Sequence, residues 1–119
     1  MFGSKKKYQL AQTSKELSEY EQLINAIDGN IARIDFTPQG DILNANNLFL
    51  ETMGYRLDEI VSKHHKIFCD NNYATSAEYQ NFWKQLAQGQ SHHGRFKRFR
   101  NNGDVVWLEA SYFPIKNSE

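Results

Sequence analysis

Two adjacent histidines, His64 and His65, are the side chains of this sequence best suited to chemistry. An imidazole binds metal ions and exchanges protons near neutral pH. Consecutive residues of a helix diverge by about 100°, so at most one of the two rings can enter a buried site. We expect one to be a buried ligand, or one to hydrogen-bond the backbone while the other is solvated. A second pair, His92 and His93, opens a predicted strand and is expected to face solvent.

The remaining residues give no indication of an enzyme. The sequence lacks the GxSxG, P-loop, HExxH and CxxC motifs. Asp58 and Glu59 are neighbours in a predicted helix and cannot face each other across a substrate. We therefore predict that the chain has no catalytic site.

Composition excludes several other classes of function. The 119 residues suffice for one domain, and 14 basic residues balance 14 acidic ones. A neutral chain lacks the basic field that nucleic acids require, so we predict that it does not bind them. The short basic run at residues 95–100 is predicted to be a solvated strand face. The single cysteine, Cys69, excludes an internal disulfide, and no apolar run is long enough to span a bilayer. A cytoplasmic location is expected.

The chain divides into three parts. Residues 1–9 are predicted to be a polar tail, 10–28 an amphipathic helix, and 29–119 the main domain. Apolar side chains in the helix follow an approximate heptad spacing: Leu10, Leu17, Tyr20, Ile24 and Ile27. Fewer than three heptads cannot form a stable isolated coiled coil, so this helix must pack on its own sheet or on a second copy.

Periodicity assigns the elements of the main domain. Alternation predicts four strands, at 31–36, 41–44, 94–100 and 105–115. Helical spacing predicts helices at 45–53 and 57–61, and one that begins with a capping box at Thr75–Glu78 and ends at Gly89. Residues 64–72 are predicted to be irregular, with one helical turn around His65.

The last strand defines a candidate pocket. Val106, Leu108, Ala110 and Tyr112 share one face, which we expect to lie against the helices, with room for a ligand beside the small Ala110. The helices are expected to contribute Phe49, Leu50, Met53, Ile60, Ile67, Phe82 and Leu86. Alternatively, the same side chains close into a dry core. Trp107 and Phe113 lie on the opposite face, where the N-terminal helix would cover them.

Several segments, in this order and spacing, resemble a PAS domain. They are Asp41–Asn46, Phe49-Leu50, Met53–Tyr55, Leu57–Ile60, His64–Cys69, Glu78-Tyr79, Phe82-Trp83, Gly94–Arg98 and Asn102–Tyr112. They are similar to the PAS modules of soluble methyl-accepting chemotaxis proteins and biofilm-dispersion receptors. The resemblance implies an α+β fold with a PAS-like antiparallel sheet and short helices on one face. A PAS sheet has five strands with the fifth in the centre, but only four are predicted here, so we expect the central strand to be absent and its neighbours to keep unpaired backbone groups.

The resemblance also implies a function. It indicates a non-catalytic sensory module of a chemotaxis-type receptor, which responds to a ligand, to redox state or to oxygen. The alternative is a ligand-free PAS module for dimerisation or interaction. The expected partners are a second copy and a downstream receptor signalling domain. The predicted contact surface consists of Leu17, Tyr20, Ile24 and Ile27 of the helix with Trp107 and Phe113 of the sheet.

Cofactor expectations follow from the same relatives. Some related receptor domains bind haem b through a helical histidine, which implies His64 or His65 as the iron ligand. FAD is disfavoured, because the Arg-His-Pro-Asp pattern of flavin-binding aerotaxis receptors is replaced here by Phe68–Asn71. Light-sensing flavin relatives carry Asn-Cys-Arg-Phe, which is also absent, so Cys69 is expected to be an ordinary, partly buried thiol. Absence of any cofactor is an equally favoured expectation.

Overall fold

The computed structural model describes residues 2–115, with side chains described from Leu10 onwards. The helices are α1 (Phe2–Asn30), α2 (Asn47–Met53), α3 (Leu57–Ile60), α4 (Asn71–Ala74) and α5 (Ala77–Ala87), with a 3₁₀ helix at His65–Phe68. The strands are β1 (Ile34–Phe36), β2 (Ile42–Ala45), β3 (His92–Phe99) and β4 (Val105–Tyr112). The predicted α+β architecture with short helices and antiparallel strands is confirmed.

The N-terminal helix is longer than predicted. It begins at Phe2 rather than at residue 10, so residues 2–9, predicted to be a polar tail, continue the helix. Its C-terminal end lies at Asn30 rather than 28, and the Ile31 amide still donates to the Ile27 carbonyl at 2.7 Å. Lysine and glutamine have good helix propensity, which explains how a polar segment extends the helix.

This helix does not cover the sheet as predicted. Its described side chains are exposed until Ile27 and Asp28, which are half-buried, and the element that it mainly packs against is α2. Trp107 consequently remains 60% exposed on the outer face of β4. Within this single copy, the apolar stripe of α1 therefore has no cover among the described residues.

The first strand is shorter than predicted. Ile31 is exposed, and only Ile34–Phe36 pair with β2. The preceding backbone is bonded differently, because the Arg33 amide donates to Asn46 Oδ1 and the Arg33 carbonyl accepts from the Asn46 amide, both at 2.9 Å. The Arg33 amide is therefore bonded to a side chain, Asn46, and not to the backbone of a neighbouring strand, so the β-ladder is not extended to residue 31.

The strands form two separate hairpins. β1 pairs with β2 and β3 pairs with β4, both antiparallel, and within residues 2–115 neither hairpin hydrogen-bonds to the other. Four strands are described within this range. Residues 116–119 lie outside the described residues.

Local capping fixes the helices beneath the sheet. Asn46 caps α2 by accepting the Phe49 amide, and Gly54, at φ 76°, ends it. Ser76, one residue beyond the predicted Thr75, caps α5 by accepting the Tyr79 amide. That shift leaves the predicted apolar face of α5 unchanged, with Tyr79, Phe82 and Leu86 buried.

The main core lies between β2, the first helices and the inner face of β4. Its buried members are Ile42, Ala45, Phe49, Met53, Ile60 and Phe68, with Val106 and Leu108 packed against them. Along β4, burial alternates as predicted, with Val106, Leu108, Ala110 and Tyr112 turned inward and Trp107 outward.

Candidate functional site

His65 occupies the centre of the domain. It is the first residue of the 3₁₀ helix, and its side chain is only 2% exposed. His64 caps that helix by accepting the Lys66 amide on Nδ1, and its Nε2 lies 2.8 Å from the Gln39 carbonyl oxygen. His64 thus hydrogen-bonds the backbone, as in one of the two expectations stated for this pair. The same expectation had the other histidine solvated, whereas His65 is buried.

The turn after β1 holds this pair in place. Gly40 has φ 95°, and its carbonyl accepts the His65 amide at 2.9 Å. A Cβ at position 40 would come within 2.5 Å of His64 Nε2 and 3.0 Å of the Trp83 ring. The position therefore requires glycine both for its backbone angle and for the close approach of His64.

Both ring nitrogens of His65 have hydroxyl partners. Nδ1 lies 2.7 Å from the Tyr79 hydroxyl and Nε2 lies 3.1 Å from the Tyr112 hydroxyl. Burial, reinforced by electrostatic interactions with Arg98 and His64, lowers the pKa of His65 well below its ordinary value. The imidazole is therefore neutral, with one nitrogen that donates and one that accepts.

The direction of these bonds follows from Arg98. Its guanidinium can only donate, and Nη2 does so to the Tyr112 hydroxyl at 3.2 Å. The Tyr112 hydroxyl can then donate its O–H to His65 Nε2, which leaves Nδ1–H to donate to the Tyr79 hydroxyl. We assign this tautomer because it gives the hydrogens of Arg98 Nη2, the Tyr112 hydroxyl and His65 Nδ1 one acceptor each.

Arg98 itself is buried without a carboxylate. It is 3% exposed, and the described residues place no acidic side chain in an ion pair with it. Nη1 donates to the neighbouring Lys97 carbonyl at 2.9 Å, while Nε has no described partner. The guanidinium instead lies near the rings of Phe96, Tyr73 and Tyr112, at 5.1, 5.9 and 5.9 Å from their centroids. The prediction that residues 95–100 form a solvated face is wrong at this position.

Cys69 completes the group. Its sulfur lies 3.8 Å from His65 Nδ1, and the side chain is partly buried, as expected. Burial raises the pKa of the thiol, which keeps it protonated at neutral pH. We refer to His65, Cys69, Tyr79, Arg98 and Tyr112 as the inner polar cluster.

The structure divides the predicted pocket residues between two places. Phe49, Met53, Leu50, Ile67 and Leu108 lie in or against the apolar core. Phe82 instead faces Tyr112 and His92, with ring centroids 4.9 Å away in both cases. Leu86 is buried on α5, and Ala110 is half-buried on β4.

Sequence reasoning missed three members of the inner polar cluster. Tyr112 was predicted on the pocket face of the last strand without a hydrogen-bonding role. Tyr79 was named only among the segments that resemble a PAS domain, and Arg98 was predicted as a solvated charge. Period-two spacing places Arg98 on the same face of β3 as the inward Phe96, and that pattern would have identified it. His92 is half-buried against Phe82 rather than solvent-facing, whereas His93 is exposed beside Ser111.

The surroundings of His65 and His64 bear on whether either ring could hold a haem iron. An iron ligand needs a free ring nitrogen, but both nitrogens of His65 are bonded to tyrosines. The ring is also surrounded by the side chains of Phe36, Phe68, Tyr79, Trp83 and Tyr112. The described packing at His65 therefore does not fit a haem, and His64 is committed to the backbone on both nitrogens.

A second polar group joins α1 to the domain. The Asn46 side chain accepts the Arg33 and Phe49 amides and donates to Asp28 Oδ1 and the Ile31 carbonyl. Asp28 also forms an ion pair with Arg33 Nε at 3.3 Å. We refer to Asp28, Arg33 and Asn46 as the helix junction.

The predicted contact surface is not assembled within one copy. Leu17, Tyr20 and Ile24 lie exposed on α1, and Ile27 is half-buried at its end. Trp107 and Phe113 are exposed on the sheet. No helix among the described residues is long and apolar enough to cross a membrane.

Comparisons with known proteins agree with this fold. A family model described as the PAS fold matches residues 42–119. The chain is 44% identical over 94 residues to the biofilm dispersion protein BdlA of Pseudomonas aeruginosa, covering 79% of this chain and 22% of that protein. It is 30% identical over 77 residues to the aerotaxis receptor of Escherichia coli, covering 65% of this chain and 15% of the receptor. The predicted resemblance to receptor modules of these two types is confirmed, and the chain spans about a fifth or less of either relative.

Solved structures show the same architecture at lower identity. A domain of a sensory box sensor histidine kinase/response regulator from Geobacter sulfurreducens superposes with a TM-score of 0.70 at 16% identity, over 80% of this chain and 83% of that one. The PAS domain of an HTR-like protein from Haloarcula marismortui gives 0.62 at 20% identity, over 85% and 84%. At these identities the similarity bears on the fold alone.

Proposed function

This chain belongs to the PAS family, and we propose that it is a sensory module of a chemotaxis-type receptor in which a ligand or a redox change acts on the inner polar cluster. Similarity to a biofilm dispersion protein and an aerotaxis receptor supports the receptor context. The observation that carries the proposal is a 2% exposed histidine bonded to side chains of α5 and β4. The module works in the cytoplasm and catalyses no reaction.

The inner polar cluster is suited to sensing because its groups depend on one another. Buried polar groups are costly unless each finds a partner, so a change at one member must be compensated by movement of the others. The cluster draws its members from the 3₁₀ helix, α5, β3 and β4. A ligand that displaces Tyr112 from His65, or an altered charge at Cys69, would therefore be felt in both hairpin and helices.

A short physical connection leads from this cluster to α1. The Phe36 ring on β1 lies edge-on to His65, with centroids 5.3 Å apart. Three residues earlier, the Arg33 backbone is bonded to Asn46, whose side chain holds Asp28 of α1. A displacement of β1 would consequently reach the helix junction, and α1 would transmit it to a downstream signalling domain.

Amide hydrogen exchange tests this relay. Tyr112→Phe removes the hydroxyl between Arg98 and His65, and we expect it to accelerate exchange at the Ile31 and Arg33 amides by about fivefold, since local opening governs exchange. Tyr55→Phe is the matched control, because Tyr55 packs on Phe68 and its hydroxyl has no described hydrogen bond. If the Ile31 and Arg33 amides exchange no faster in Tyr112→Phe than in Tyr55→Phe, the relay is overturned.

Self-association through α1 is part of the proposal. Leu17 and Tyr20 are 57% and 64% exposed, and an apolar stripe of this kind is stabilised by a second copy. Sedimentation should show a dimer that Leu17→Glu with Ile24→Glu dissociates. Gln22→Glu, on the opposite side of the same helix, is the control and should leave the dimer intact. A monomer at high concentration of the unmodified chain contradicts this part.

Two cofactor hypotheses are tested separately by visible absorption. To hold haem b, His65 or His64 would have to give up a hydrogen bond that its ring makes now. FAD remains a disfavoured prediction. A Soret band in the freshly purified protein would indicate haem, and flavin absorption would indicate FAD. The proposed ligand or redox response at the cluster needs neither group.

The alternative is a ligand-free interaction module. The close packing of aromatic rings around His65 favours this alternative, because both ring nitrogens of the histidine already have hydrogen-bond partners. In that case Tyr112→Phe would lower stability without any change at the helix junction, and α1 would mediate association alone.

A further inference from the structure

A groove beside the inner polar cluster has features that packing does not explain. It lies between α5 and β3 and has a volume of about 320 Å³. Three rings line it, those of Tyr73, Phe82 and Phe96, together with four polar side chains, those of Glu78, Asn81, Gln85 and His92. Two of these rings, Tyr73 and Phe96, are among the three that lie near the Arg98 guanidinium. The groove and the buried cation therefore share a wall.

Two buried nitrogens at this wall have no described hydrogen-bond partner. They are Arg98 Nε and His92 Nε2. Arg98 is more than nine-tenths buried, and of its five N–H groups only two are bonded among the described residues. A buried cation without an anion is costly, and a carboxylate is the partner whose geometry fits a guanidinium fork.

We infer that this groove binds the carboxylate of a small acid with an aromatic or apolar body, with Arg98 as its cationic partner. The three rings suit the apolar body, and His92 supplies a second polar group. Glu78 at the edge adds a negative charge, which selects a singly charged acid over a phosphate dianion. Entry requires a rotation of Tyr73 or Phe96 to expose the guanidinium. The inference rests on the proposed function, since it names the ligand class of the same cluster.

Amide chemical shifts test the site directly. We expect benzoate to shift the amides of residues 92–98 of the complete chain saturably, and benzamide, its neutral isostere, to bind at least about tenfold more weakly. Inorganic phosphate should produce no saturable shift. Equal binding of benzoate and benzamide, or no saturable shift with benzoate, would overturn the inference without any mutation.

Variants assign the effect to Arg98. Arg98→Met should weaken benzoate binding at least about tenfold, whereas Arg95→Met, exposed on the other face of β3, should not change it. Arg98→Lys keeps the charge but loses the fork, and should weaken binding at least about threefold if the methionine variant fails to fold. Unchanged affinity in the Arg98 variants overturns the site.

The outcome is separable from that of the proposed function. Benzoate binding at Arg98 with no change of exchange at Ile31 and Arg33 leaves the carboxylate site standing and overturns the relay. Altered exchange in Tyr112→Phe without benzoate binding overturns the site and leaves the relay standing.

Discussion

The helix junction and the inner polar cluster are both buried polar groups, but they are bonded to different degrees. Asn46, 8% exposed, uses both amide hydrogens and accepts two backbone amides on its oxygen. Arg98, 3% exposed, leaves Nε without a described partner and forms no ion pair with a carboxylate among the described residues. Arg33 Nε of the junction also has no described hydrogen-bond partner, but it lies 3.3 Å from Asp28 Oδ1 in an ion pair. The two regions therefore differ in the Asn46 amide, which is fully bonded and attaches α1, and in the charge of Arg98, which has no described carboxylate partner.

This difference indicates where the domain can respond. Moving any partner of a fully bonded group, such as the Asn46 amide, raises the free energy of the folded state, so this group resists change. A buried cation without its anion is different, because the folded state is stabilised when an anion binds to it or when the charge is removed. The junction should therefore be sensitive to deletion, and the cluster to ligands, pH and charge-removing substitutions.

The largest expected effect is at the junction. Asn46→Ala removes the cap of α2 and leaves the Arg33 amide and Ile31 carbonyl without their partner. Loss of a cap costs about 0.5–2 kcal/mol and each buried unpaired group about 1–3 kcal/mol, so we expect a loss of about 3 kcal/mol in urea unfolding. Asn47→Ala, at the exposed next position, should cost little. A loss below about 1 kcal/mol for Asn46→Ala would show that the junction is not a fixed attachment.

The next effect is the pH dependence of unfolding. The folded pKa of His65 lies well below the unfolded value of about 6.5, so the unfolded state binds more protons and stability falls as pH drops below that value. One proton taken up on unfolding limits the decline to about 1.4 kcal/mol per pH unit. The charged or titratable groups that face the ring are His64, Cys69, Tyr79, Arg98 and Tyr112.

Two variants isolate that contribution. His65→Gln should flatten the decline of stability between pH 6.5 and 5, whereas His93→Gln, at an exposed position, should keep it. An identical decline in the unmodified chain and in His65→Gln would mean that His65 titrates normally in the folded state.

A smaller effect of opposite sign is expected at Arg98. Arg98→Met replaces an uncompensated buried charge with an apolar side chain of similar length, and we expect a gain of about 1 kcal/mol in urea unfolding. Arg95→Met should lie within about 0.5 kcal/mol of the unmodified chain, as exposed substitutions do. If Arg98→Met is instead destabilised by more than about 1 kcal/mol, the ring contacts and two hydrogen bonds compensate the charge, and the contrast with Asn46 disappears.

Periodicity accounts for what the sequence predicted correctly. The alternating face of β4 and the i, i+3, i+4 spacing of α5 are visible as patterns, and Gly54 marks the end of α2. The start of β1 differs from the prediction because it depends on one long-range side chain, whereas the start of α1 differs because a polar segment of good helix propensity extends the helix. Asn46 diverts the backbone of residues 31–33 from the β-ladder, and no local pattern reveals this.

The candidate site was predicted only in part. A buried histidine was among the expectations, but its tyrosine partners lie 14 and 47 residues away in sequence. Arg98 was predicted as exposed because basic residues surround it, although its spacing from Phe96 matches the inner face. The unpaired state of the guanidinium is a property of the packed interior, and composition carries no information on it.

The most direct test of the account is a double-mutant cycle between the two regions. Asp28→Ala alters the junction and Tyr112→Phe the cluster, and their unfolding free energies should differ from additivity by about 1 kcal/mol, because β1 links them through Phe36 and Arg33. The control pair, Glu51→Ala with Tyr112→Phe, should add within about 0.3 kcal/mol, since Glu51 is exposed on α2. If the Asp28 pair is as additive as the control, the inner polar cluster and α1 are energetically independent, and the proposed sensory relay is wrong.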